Sequence, residues 1–241
     1  MKKFDVKNFL KKQWKEWRLF IFLVIFVIIP FKSSLADWNW VPTGSMNPTI
    51  LEGDLIFVNK VAYDLRIPLT LHRIAKWSDP KRGDIVVCFS PVDPNDPNDK
   101  VVRLVKRIIA VPGDKVSMVN NTLFINEKPL DYTRVEEKYR HYLPDKLKQA
   151  SNMAMEDLSG HYHAVMSIPS IPNAMRTFPE EIVPENCYYV MGDNRDNSRD
   201  SRYFGVVDRK DIIGQAKGII TSFNIKDKFQ PRFGRFFESL Q

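Results

Sequence analysis

Residues 19–31 (LFIFLVIFVIIPF) carry no charged side chain, and the segment before them is dense in lysine. Few folds accept such a run outside a membrane or a deeply buried core. At 13 residues it falls short of the roughly 20 that a spanning helix needs. Trp14 and Trp17 ahead of it, and residues 33–40 behind it, can extend the span with aromatic anchors at the interface. The charge distribution agrees. The formal charge is +7, yet residues 1–32 hold eight lysines and arginines against two acidic residues, leaving 28 basic against 27 acidic side chains elsewhere. Basicity confined to the tail is not the footprint of a nucleic-acid partner. It predicts a basic cytoplasmic tail over 1–18, a single transmembrane helix over 19–37 and an extracytoplasmic domain over 38–241. A cleaved secretory signal is the competing reading, because an apolar core of this length and the small-x-small Ser34-Leu35-Ala36 also fit one. The long lysine-rich approach and its aromatic boundary favour a retained anchor.

Beyond Trp40 the periodicity is that of strands. Residues 55–58, 84–89, 101–111, 115–119, 122–125, 187–191 and 212–222 are short apolar or alternating runs, punctuated by Gly53-Asp54, Arg82-Gly83-Asp84, Pro112-Gly113-Asp114 and Asn120-Asn121. The last pair predicts a hairpin. The set predicts a mainly β, barrel-like or sandwich domain. Residues of about 126–184 are more polar, are spaced with six prolines and read as an inserted, smaller β-rich subdomain. Residues 93–99 (DPNDPND) read as a solvated turn, since the closing spacing of a calcium loop is missing. The aromatic and basic residues 223–237 fit either a membrane-surface element or a frayed tail. Cys88 and Cys187 read as small core residues whose pairing stays open. His72, His141, His161 and His163 lie in polar loops, and no metal site is expected from their spacing.

Three places carry chemistry. Ser45 sits in Pro42-Thr43-Gly44-Ser45-Met46-Asn47-Pro48-Thr49, Lys106 lies inside an apolar strand-like run, and residues 192–202 (GDNRDNSRDSR) crowd charged and amide side chains into a turn. A serine hydroxyl needs a base. A lysine can serve if burial disfavours its charged form. Taken singly, Ser45 reads as an ordinary turn serine, and Lys106 reads equally well as a solvent-facing lysine on an amphipathic strand.

The four blocks at 43–49, 82–87, 106–114 and 192–202, in that order, strongly resemble those of the bacterial type I signal peptidases (leader peptidases), serine proteases with a Ser/Lys dyad. The resemblance covers roughly residues 38–125 and 185–222. It implies Ser45 as nucleophile, Lys106 as general base, Thr43 as an oxyanion donor and Ser198 as the hydroxyl that orients the lysine. Arg107, Asp193, Asp200 and Arg202 match a charged brace beneath the site, and Val41, Pro42, Met46 and Val105 match walls of shallow substrate pockets. The implied activity is removal of signal peptides from exported preproteins after small-x-small sequences, at the bacterial inner membrane. No metal or organic cofactor is implied. The implied partners are preprotein signal peptides, the lipid bilayer and, by proximity, the secretion translocon. Two other readings are a specialised relative that processes a conjugation or pilus-type substrate, and a non-catalytic membrane-anchored β domain.

Overall fold

The computed structural model describes residues 6–70, 72–92 and 100–240, so the turn expected at 93–99 and the first five residues of the basic tail lie outside the described residues. The chain opens with α1 (Val6–Leu23), a π-helical stretch (Val24–Ile28) and α2 (Ile29–Ser34), which run on from one another. Pro30 has no amide hydrogen for the carbonyl four residues back, and a widened π turn ahead of it accommodates that loss. The apolar helix Gln13–Ser34 has 22 residues. At 1.5 Å per residue it is about 33 Å long, matched to a hydrocarbon layer of roughly 30 Å. Its large side chains, Leu19, Phe20, Phe22, Phe26 and Phe31 among them, are exposed.

The helical segment differs from the expected 19–37. It stops at Ser34, and Ala36–Trp40 is a strand, β1, paired antiparallel with β2 (Asp54–Asn59) from Ala36↔Asn59 to Trp40↔Leu55. Asp37 is the physical reason. A carboxylate is costly inside a bilayer, and here it pairs with Arg103 at 2.9 Å and Lys60 at 3.5 Å. Trp38 and Trp40 therefore belong to the sheet and not to the span.

The main sheet adds β3 (Ile85–Phe89), β4 (Arg103–Ala110), β5 (Cys187–Met191) and β6 (Ile212–Asn224) in the order β1-β2-β6-β3-β4-β5, all antiparallel. Val207–Asp208 pairs with β5, and Gln230–Pro231 with the end of β6. The run IVVCF of β3 is apolar on both faces because both are covered. Ile85 and Val87 join Ile56, Val58 and Ile219 on one side, while Val86 and Cys88 join Ile108, Val190 and Ile212 on the other. β1 and β4 are separated by three strands in the sheet order, yet Asp37 of β1 touches Arg103 of β4. The sheet is curled.

A second sheet holds Phe178–Ile182, Lys115–Val119, Thr122–Ile125 and Lys128–Pro129. Its hairpin turns at Asn120 and Asn121, whose φ values of 50° and 66° are those of a type I′ turn. A third holds Asp131–Arg134, Asn152–Leu158 and His161–Ser167, with short helices Glu137–His141 and Asp145–Ala150 between the first two strands. Leu158 of the third sheet is buried with Met118, Leu123 and Phe178 of the second. A further hairpin, Asp64–Arg66 with Arg73–Lys76, gave no alternation in the sequence, and Asp64 holds it by binding Arg66, Arg73 and Arg209.

Two expectations are corrected. The histidines are not all in loops: His141 ends a short helix, and His161 and His163 share a strand, where His163 is buried with its ring facing the carboxylates of Glu156 and Asp193. The C-terminal segment is not frayed: Phe233–Arg235 forms a turn of 3₁₀ helix, and Arg235 is buried against Asp54. Cys88 and Cys187 are both free thiols.

Candidate active site

Between β1 and β2 the chain makes a loop closed at its neck by backbone hydrogen bonds, Val41 N–H to Asp54 O at 2.9 Å and Gly53 N–H to Val41 O at 2.8 Å. Within it Asn47 N–H donates to Gly44 O and Ile50 N–H to Met46 O. The Asp54 carboxylate accepts the Leu51 N–H at 2.8 Å. Asn194 grips the turn from outside, donating from Nδ2 to Gly44 O at 3.0 Å and from its backbone N–H to Ser45 O at 3.1 Å. Ser45 is thus held on both sides, with its side chain half-buried. A Cβ on Gly44 would lie 2.6 Å from Asn47 Nδ2, so the Asn47 side chain would have to shift to admit one.

Lys106 reaches the serine from β4, which runs between β3 and β5 (Val86↔Lys106, Met191↔Arg107). Its Nζ lies 2.8 Å from Ser45 Oγ and 3.1 Å from Val105 O. The residue is 2% exposed. Burial holds its pKa below the ordinary 10.5, against the opposing pull of Asp200, then Cys88 and Asp193. A hydroxyl beside a desolvated amine is an arrangement for transferring a proton from oxygen to nitrogen.

The expected bond from Ser198 to Lys106 is not formed. Ser198 is buried and its Oγ makes no hydrogen bond, while Val105 O takes the second place on Nζ. The hydroxyl lies against Gly192 instead, where an added Cβ would come within 2.3 Å of both Ser198 Oγ and Ser45 O. Thr43 is exposed in the turn two residues before Ser45. Val41 and Met46 are buried in one cluster with Val105 packed against it, and Pro42 is exposed at the rim.

The four brace residues form two separate pairs. Arg107 binds Asp193 through Nε and Nη2, both at 2.9 Å, and donates from Nη1 to Gly83 O. Arg202 binds Asp200 through Nε and Nη2, both at 2.8 Å, and the same carboxylate accepts the Gly192 N–H at 3.0 Å. Other charges of this run also have internal partners. Arg195 binds Glu156 at 2.8 and 2.6 Å, and Asp196 binds Arg176 at 2.8 Å. Glu156 in turn accepts from Tyr132 at 2.7 Å, and Arg195 together with His163 keeps its carboxyl well below the usual range.

With this geometry in hand, likeness to known proteins becomes decisive. The profile of the family described as "Signal peptidase, peptidase S26" matches residues 14–221. The chain belongs to the S26 signal peptidase family. It is 36% identical to Signal peptidase I of Rickettsia canadensis (strain McKiel), over 88% of this chain and 81% of that one. It is 34% identical to Signal peptidase I of Pseudomonas fluorescens, over 89% and 75%, and 33% identical to that of Aquifex aeolicus (strain VF5), over 81% and 80%.

For this S26 peptidase, sequence reasoning missed Asn194, which grips the Ser45 turn, and two buried arginines of the surrounding framework, Arg195 and Arg235. Asn194 and Arg195 lie in the charged run, whose density was a signal for buried pairing. Arg235 carries no such sign. It lies beyond the matched residues, yet donates to Thr49 O at 2.9 Å and to Asp54 at 2.7 Å.

Proposed function

We propose that this membrane-anchored signal peptidase cuts preproteins by acyl transfer, with Ser45 as nucleophile and Lys106 as general base. The 2.8 Å approach of Ser45 Oγ to the amine of a buried lysine carries the proposal. Lys106, neutral at the start, takes the Ser45 proton as Oγ attacks the scissile carbonyl carbon. The Lys106 ammonium then gives that proton to the departing amine of the mature protein. A water, deprotonated by Lys106, next attacks the acyl-serine ester; the carbonyl C–Oγ bond breaks, the Lys106 ammonium returns its proton to Ser45 Oγ, and the signal peptide leaves as a carboxylic acid that ionises in water. The developing oxyanion accepts from the Ser45 N–H and the Thr43 hydroxyl. The free Ser198 hydroxyl, beside Ser45 O, is the group available to orient Lys106 when substrate closes the site. Val41, Met46 and Val105, with Pro42 at the rim, shape pockets for the small residues one and three positions before the cut. The tail charge supports a cytoplasmic N-terminus and a β domain outside the bacterial inner membrane, where an exported signal peptide ends and the translocon is near.

Purified protein incubated with a preprotein should release the mature chain at its small-x-small site. Ser45→Ala and Lys106→Ala should each lose activity by orders of magnitude while keeping native β-sheet spectra. Ser45→Ala retaining activity within about tenfold would exclude Ser45 as nucleophile. Thr43→Val should lower turnover by about 100-fold or more without a matching rise in KM, and Thr43→Ser should restore it.

A further inference from the structure

The apolar helix is gripped at its end by the β domain. A helix leaves its last carbonyls without partners of its own. Here Lys60, just past β2, donates from Nζ to Lys32 O and Ser33 O, both at 3.0 Å. A cation at this end also suits the helix dipole. Ser33 Oγ accepts the Leu69 N–H at 2.6 Å, and the Lys60 N–H donates to Leu35 O at 3.0 Å. Asp37 Oδ2 lies 3.5 Å from Lys60 Nζ and 2.9 Å from Arg103 Nη2, and the Lys60 and Asp37 side chains are only 14% and 8% exposed.

The positions of these residues give the cluster its meaning. Asp37 belongs to β1, which leads straight into the Ser45 turn, and Arg103 opens β4, which carries Lys106 three residues further on. The helix end is therefore tied to both strands that supply the dyad. The geometry points to Lys60, Asp37 and Arg103 as a collar that sets the direction in which the helix leaves the domain, so that the cleft is held over the bilayer where a membrane-embedded cleavage site emerges. This rests on the signal peptidase reading above. A substrate fixed in the same bilayer cannot reorient to find a tumbling cleft, so the pre-set geometry raises the frequency of productive encounters. A short soluble peptide approaches from any direction and gains nothing from the collar. Lys60 is thus a positioning residue for one class of substrate.

The test uses the full chain in vesicles of phosphatidylethanolamine and phosphatidylglycerol, with two substrates. One is a preprotein whose signal peptide is embedded in the same vesicles, and the other is a short water-soluble peptide spanning its cleavage site. Lys60→Met keeps the aliphatic stem and removes the donors. It should lower kcat/KM for the embedded preprotein by about tenfold or more, leave the soluble peptide within about twofold, and be largely rescued by Lys60→Arg. Equal loss on both substrates would make Lys60 an ordinary structural residue, and no loss on the embedded preprotein would show that the collar does not position the cleft. Either result overturns the inference while leaving the peptidase intact. A wild-type chain that cleaves neither substrate would instead overturn the peptidase reading, and the collar's role with it.

Discussion

Arg107 and Asp193 meet in a two-point ion pair, with both contacts at 2.9 Å and both side chains 1% exposed. The pair joins the strand of Lys106 to the loop that packs over it. Removing one partner leaves a buried charge uncompensated, which costs about 3–5 kcal/mol, whereas replacing both by apolar residues is far less costly. Asp193→Asn should therefore lower the urea midpoint sharply, and Arg107→Met with Asp193→Leu should recover at least half of that loss. Additive losses in the double variant would show that the pair does not act as a unit.

In the proposed mechanism Lys106 must be neutral to accept the serine proton, so activity should fall as pH drops through its pKa. Burial lowers that pKa from 10.5, and the acid limb of kcat/KM should accordingly level off well below that value. The same shift affects stability. Between the lowered pKa and 10.5 the folded state binds fewer protons than the unfolded one, so this site favours folding increasingly as pH rises through that window. Lys106→Met should be inactive, at least as stable as wild type at neutral pH, and free of this contribution. Thermal unfolding at several pH values checks all three.

Gly192→Ala would place a methyl 2.3 Å from both Ser45 O and Ser198 Oγ. The serine turn must move to admit it, and displacement of a nucleophile by about 1 Å can cost roughly 100-fold in rate. Turnover should fall by about that factor while KM changes little. Single-turnover measurement of acyl-enzyme formation would locate the defect in the attack step.

Arg235→Ala should strip Asp54 of its closest cation, leaving only Arg232 at 3.9 Å, and Thr49 O of its donor. Asp54 is fully buried, so the loss should be about 3–5 kcal/mol, read as a lower midpoint in denaturant. Because Asp54 closes the loop that carries Ser45, turnover should fall as well. Arg235→Lys should not restore it, since an ammonium lacks the forked geometry that serves two acceptors at once.

Much of the scaffold was legible because its signals are local. Short apolar or alternating runs marked β2, β3, β4 and the paired segments 115–119 and 122–125, and Asn120-Asn121 marked the turn between the last two. The uncharged run marked the helix, although its end was misplaced because the fate of Asp37 depends on Lys60 and Arg103, which lie far along the chain. The polar segment after residue 126 resisted reading for a similar reason. Glu156 and His163 look like surface residues until Arg195 and Asp193 are brought beside them.

By itself, then, the sequence determined the strand pattern, the apolar helix and which blocks carry a serine, a lysine and dense charge. Only the tertiary structure decided that Ser45 and Lys106 touch, that Ser198 faces Gly192 rather than the lysine, and that Arg235 holds Asp54. Periodicity and turn chemistry act between near neighbours and leave a trace in the order of residues. Desolvation and ion pairing depend on what surrounds a group in space, and here the partners are separated by 61 residues for Lys106 and Ser45 and by 181 for Arg235 and Asp54. A lysine in an apolar run is desolvated only once β3, β5 and the 192–202 loop exclude water from it.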